Sequence, residues 1–79
     1  MFINKTAEGK NNLCGGRVAA LRSERKMSQR MLADGLQLMG LDVDKNAIQR
    51  IEAGKRFVTD IELKTIAAFF DVSADELIS

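Results

Sequence analysis

Ser28-Gln29-Arg30-Met31-Leu32-Ala33-Asp34-Gly35-Leu36-Gln37-Leu38-Met39-Gly40 runs through Leu41-Asp42-Val43 into Asp44-Lys45-Asn46-Ala47-Ile48-Gln49-Arg50-Ile51-Glu52-Ala53-Gly54. The stretch reads as two helices meeting at a turn. Ser28 can cap the first helix, and Leu32, Leu36 and Met39 recur at i, i+4 and i+7 as one apolar stripe. Gly40 can stop that helix in a left-handed turn, and Asp44 can cap the next. Ile48 and Ile51 give the second helix a narrow apolar seam, while Lys45, Asn46, Gln49 and Arg50 lie outside it. Gly54 is placed to end it. A helix held by so few apolar residues, with amides and cations outward, suits reading of the DNA major groove.

Working outward, a preceding helix is expected from about Arg17 to Lys26, burying Val18 and Leu21, with Met27 packing just before the Ser28 cap. Residues 1–14 show little apolar periodicity and read as a flexible N-terminal arm, with the domain proper at 15–79. Lys5 and Lys10 could carry such an arm into a minor groove, although a frayed terminus is the commoner meaning of such a segment.

Downstream, Val58-Thr59-Asp60-Ile61-Glu62-Leu63 and Val72-Ser73-Ala74-Asp75-Glu76-Leu77 share one plan. In each, Thr or Ser can cap a helix, and the Glu three residues on can return a bond to the cap's own amide. The valine before the cap can staple to the leucine. A fourth helix therefore begins near Asp60 and buries Leu63, Ile66, Ala67 and Phe70; a short fifth begins near Ala74. The repeat is capping chemistry, not a duplicated functional unit.

Composition narrows the function classes. The 79 residues make one small domain, and the 46% apolar share is ordinary for a globular chain. The single cysteine, Cys14, allows no internal disulfide, and the lack of histidine removes the usual Cys/His zinc sites. No metal or cofactor is expected. No apolar run approaches the roughly 18 residues of a membrane span, and no signal-peptide core is legible, so a cytoplasmic protein is expected. An enzyme is not expected either: there is no His, no Cys beside a base, and no phosphate-binding loop of the P-loop form.

The net charge of +1 conceals a division. Residues 15–56 hold nine Lys/Arg against five Asp/Glu, whereas residues 57–79 hold one Lys against five Asp/Glu. A basic body with an acidic end is the pattern of a one-sided polyanion binder. Chance clustering on solvated faces is the plainer alternative, and the two-helix pattern favours the first.

Taken in order, Leu21-Arg22, Ser28-Gln29, Leu32-Ala33, Ile48, Ile51-Glu52-Ala53-Gly54-Lys55-Arg56, Ile66-Ala67 and Val72 through Leu77 resemble the lambda-repressor-like helix-turn-helix regulators, also called XRE or Cro-type. The resemblance spans roughly residues 15–78. It implies an all-α, compact five-helix DNA-binding domain whose third helix enters the major groove, in a family made largely of dimeric repressors. One departure stands out. Between Ala33 and Ile48 this chain has several residues more than the family's usual spacing, so an extended second helix and turn are expected, with Leu38, Leu41 and Val43 folding against the body.

The resemblance assigns roles residue by residue. Lys45, Asn46, Gln49 and Arg50 are candidate base contacts, Lys45 and Arg50 being equally suited to phosphate; an ordinary wet helix face is the alternative. Ser28 and Gln29, at the start of the second helix, and Lys55 and Arg56, after the third, are candidate phosphate contacts; a simple surface glutamine at 29 and a solvated loop pair at 55 and 56 are the alternatives. Arg22 and Glu52 match a pair that closes inside the family's scaffold, where the guanidinium fork suits a carboxylate. Double-stranded DNA is the expected partner of a homodimer. Phe57, Phe69, Ile78 or the Leu38–Val43 piece would supply the pairing surface. A protein-interaction module, such as an antitoxin-like or adaptor domain, is the rival reading, but its third helix should turn apolar anchors outward.

Overall fold

In the computed structural model, residues 5, 6 and 8–78 are described. Parts of the expected arm (1–4 and 7) and the last residue of the expected domain lie outside them. Five helices follow one another: α1 Gly15–Glu24, α2 Gln29–Leu38, α3 Lys45–Glu52, α4 Asp60–Phe70 and α5 Ala74–Ile78. No strand occurs among the described residues. The fold is all-α, with α3 lying against α1 and α2, and α4 bridging α2 to α5. None of these helices is long and apolar enough to cross a membrane.

The helix starts follow the capping chemistry. Ser28 Oγ accepts from the Met31 amide, Asp44 Oδ1 from Ala47, and Thr59 Oγ1 from Glu62. Each cap is worth about 1 kcal/mol. Glu62 returns the bond to the Thr59 amide, which completes a reciprocal capping box. At α5, Ser73 Oγ accepts from the Glu76 amide.

The helix ends share one device. After α1, α2, α3 and α4 the chain passes through a left-handed residue: Lys26, Gly40, Gly54 and Asp71, with φ of 55°, 90°, 75° and 57°. In each case the next residue's amide reaches back to the carbonyl five residues earlier: Met27 to Arg22, Leu41 to Leu36, Lys55 to Arg50, Val72 to Ala67. This paired motif satisfies carbonyls that the helix leaves open. Glycine takes the conformation without a Cβ penalty; Lys26 and Asp71 hold it at a cost of about 1 kcal/mol.

Cys14, Val18, Leu32, Ala33, Leu36, Val43, Ile48, Ile51, Ile66, Ala67, Phe70 and Leu77 form the core. Leu21, Met27 and Leu63 pack against it half-buried. Three expectations need correction. Met39 does not continue the buried stripe: α2 ends at Leu38, and Met39 turns outward as its cap. The extra residues between α2 and α3 fold inward through Val43, fully, and Leu41, partly, but Leu38 is 90% exposed. The connection is pinned instead by a polar bond, Gln37 Nε2 to the Val43 carbonyl at 2.7 Å.

The third difference concerns the segment before α1. The helix begins at Gly15, two residues earlier than expected, and Cys14 enters the core. Burial raises the Cys14 thiol above its ordinary pKa, so it stays protonated. Ahead of it, Asn11 and Asn12 are hydrogen-bonded to the end of α3. Short amide side chains reaching backbone carbonyls leave no apolar periodicity, which is why this stretch of the expected flexible arm gave no sign of order.

Candidate nucleic-acid interface

Ile48 and Ile51, both essentially inaccessible, attach α3 to the core. Burying each contributes roughly 1.5–3 kcal/mol. That attachment fixes the rotation of the helix. Lys45, Asn46, Gln49 and Arg50 are then all exposed, in a row along one side from the first turn to the last. Asp44, which caps the helix, is the acidic group at the head of this row.

Two shallow depressions show which side chains share a patch of surface. Gln49, Arg50, Ala53 and Lys55 line one; Asp44, Asn46, Ala47, Arg50 and Arg56 line the other. Arg50 belongs to both and joins the row on α3 to the loop after it. Four of the candidate groups therefore adjoin through Arg50 on one face.

At the start of α2, Ser28 is exposed and its hydroxyl accepts from Met31, leaving the hydroxyl proton for another acceptor. Gln29 is half-buried, and its Nε2 donates to Glu52 Oε1 at 3.0 Å. An amide nitrogen carries two hydrogens, so one N–H remains for a phosphate oxygen.

The Glu52 carboxylate is the hub beneath this face. Arg22 Nε donates to Oε2 at 2.6 Å and Nη2 to Oε1 at 3.0 Å, while Arg22 Nη1 donates to the Met27 carbonyl. The bonds to Glu52 hold the Arg22 guanidinium above its ordinary pKa. Arg22, Gln29 and Glu52 together tie α1, α2 and the last turn of α3.

Arg56 stands in a different setting from Lys55. Lys55 is exposed, whereas Arg56 is half-buried with Nη1 and Nη2 donating to Glu62 Oε1 and Oε2 at 3.1 and 2.9 Å. Those bonds, together with the Thr59 amide, hold the Glu62 carboxyl below its ordinary pKa despite partial burial. By sequence Arg56 is a candidate for phosphate and Glu62 only half of the capping box; the structure joins the two.

The residues that sequence reasoning missed are Asn11 and Asn12. No signal of charge, periodicity or motif marked them.

A family model described as helix-turn-helix matches residues 18–77 of the chain. Among solved structures, the crystal structure of the restriction-modification controller protein C.AhdI from Aeromonas hydrophila is similar, with 27% sequence identity and a TM-score of 0.68, over 80% of this chain and 84% of that one. Among curated proteins none matches.

Proposed function

This chain belongs to the helix-turn-helix family, and from that membership we propose a sequence-specific DNA-binding regulator of transcription that reads the major groove with α3 and represses as a homodimer. The observation that carries the proposal is the exposed row Lys45, Asn46, Gln49 and Arg50 on a helix whose other side is locked by Ile48 and Ile51. Asn46 and Gln49 offer the paired donor and acceptor that adenine presents in reverse; Lys45 and Arg50 reach guanine or phosphate. Ser28, Gln29 and Lys55 take the backbone on either side, through the open amides of α2 and the loop cation. Arg56 reaches phosphate only by leaving Glu62. The likeness to a restriction-modification controller supports a regulatory role.

A reading head of this size makes few base contacts, and pairing two heads multiplies them. Phe57, 55% exposed, and Ile78, 42% exposed, are available for that pairing, as is Leu38. Phe69 is half-buried, edge-to-face on Phe70, and offers less.

Selection of bound sequences from a random duplex pool tests the proposal. The expected product is an inverted repeat with half-sites about one helical turn, or a multiple of it, apart. Gln49→Ala should relax preference at symmetry-related positions in both halves while leaving stability within about 0.5 kcal/mol. A single asymmetric half-site bound by one chain removes the homodimer. Absence of any preferred sequence removes the regulator.

A further inference from the structure

The segment just ahead of α1, outside the part of the chain that the family model matches, is occupied with the carbonyls at the far end of α3. The Asn11 amide donates to the Gly54 carbonyl at 2.8 Å, and Asn11 Nδ2 to the Lys55 carbonyl at 3.1 Å. Asn12 Nδ2 donates both to Ile51 O at 3.1 Å and to Arg56 O at 2.7 Å. Its Oδ1 accepts from the amide of Gly15, the first residue of α1, at 2.8 Å. One side chain thus joins the start of α1, the last turn of α3 and the loop behind it.

The packing is close enough to make this a fitted contact. A Cβ on Gly15 would collide with the Ile51 carbonyl oxygen, and one on Gly54 would lie 2.9 Å from the Lys10 stem. Four carbonyls around the loop, those of 51 and 54–56, are therefore held from outside the helix. Lys55, at one of these positions, has an exposed side chain that lines a depression with Gln49 and Arg50.

We infer that Asn12 is a positioning residue for DNA binding: with Asn11 it braces the loop after α3, so that Lys55 meets the phosphate backbone in register with the reading face of α3. The inference rests on the DNA-binding reading above and names a device within that site. A flexible loop would have to lose its freedom on binding, and the brace removes that cost beforehand.

Asn12→Asp separates the brace from the fold. The carboxylate keeps an oxygen for the Gly15 amide and places negative charge at the positive end of α1, but it removes both donors to Ile51 and Arg56. Duplex binding by the full chain is measured from about 50 to 200 mM salt for wild type, Asn12→Asp, Lys55→Ala and the double variant. A lost phosphate contact lowers the slope of log K against log salt by about 0.9, so affinity falls about 3.5-fold less across that range. The expected result is this change in Asn12→Asp and in Lys55→Ala, with no further change in the double variant.

A wild-type slope in Asn12→Asp beside a reduced one in Lys55→Ala overturns the inference and leaves DNA binding standing. An unchanged slope in Lys55→Ala removes that lysine from the interface, and with it the positioning role. Backbone order parameters at Lys55 and Arg56 judge the brace without DNA. They should fall from about 0.85 toward 0.6 in Asn12→Asp; unchanged rigidity overturns the brace, whether or not the chain binds any duplex. Should Asn12→Asp fail to fold, Asn11→Ala, which deletes the bond to the Lys55 carbonyl and an exposed one from Lys5 Nζ but keeps the backbone bond to Gly54, is expected to shift both readouts in the same direction, and no shift in either counts against the inference.

Discussion

Two arginine–glutamate forks occur among the described residues of this small domain, and they do different jobs. Arg22–Glu52 joins residues 30 positions apart, and Gln29 and the Met27 carbonyl complete its hydrogen bonding. Arg56–Glu62 spans six positions, and its carboxylate is shared with the Thr59 amide. Side-chain exposure is 18% and 8% in the first pair, and 29% and 14% in the second. The first closes the scaffold across three helices; the second orders a local turn at the start of α4. Identical chemistry therefore has different consequences: the energy at stake depends on how many other groups a missing partner strands, and on how far from water they are left.

The largest effect should come from Glu52→Ala. It strands the Arg22 guanidinium and the Gln29 amide together in a largely enclosed place, and a loss of about 3 kcal/mol is expected. For a domain of this size that lowers Tm by roughly 12 °C or more. Thermal and urea unfolding read it directly. A loss below about 1 kcal/mol would erase the contrast between the two forks.

Glu62→Gln should cost less, about 1 kcal/mol near neutral pH, because the pair is nearer the surface and the glutamine oxygen can still accept from Thr59. Its signature is pH dependence. The Glu62 carboxyl sits below its ordinary pKa, owing first to the bonds from Arg56. The stability it contributes is therefore present above the unfolded value of about 4.3 and is lost as pH falls through the lower folded value. Urea unfolding near pH 7 and near pH 3 should show the wild type losing an increment that Glu62→Gln does not lose. Parallel pH profiles would mean that Glu62 takes no part in acid sensitivity.

The contrast between the forks also marks what could be read from sequence. Caps, turn glycines and the Ile48/Ile51 seam were legible because each is a local rule with a fixed spacing. Arg22 and Glu52 were paired only through the family resemblance; nothing in the residues between them specifies it. Arg56 shows the opposite case, a bond hidden behind a local pattern. Beside Lys55 in a basic loop it reads as a phosphate ligand, and the partner that claims it was already explained by the capping box. Asn11 and Asn12 were invisible because an amide bonding to carbonyls carries neither charge nor period. Leu38 shows the limit of apolarity as a guide. The extra turn is fastened by Val43 and Gln37, and Leu38 faces water.

The smallest expected effect is the most discriminating for the second fork. Lys55→Ala should reduce the salt slope of DNA binding by about one unit, the loss of one phosphate contact. Arg56→Ala should reduce it by less than half a unit, since a guanidinium whose charge is already matched by Glu62 displaces few counterions when DNA approaches. The two residues are adjacent, and a uniformly basic loop would treat them alike. A drop of a full unit in Arg56→Ala would show that Arg56 leaves Glu62 for phosphate on binding. The fork would then be a latch released by DNA. In that event Glu62→Gln, which weakens the latch, should raise affinity, and the same titrations would reveal it.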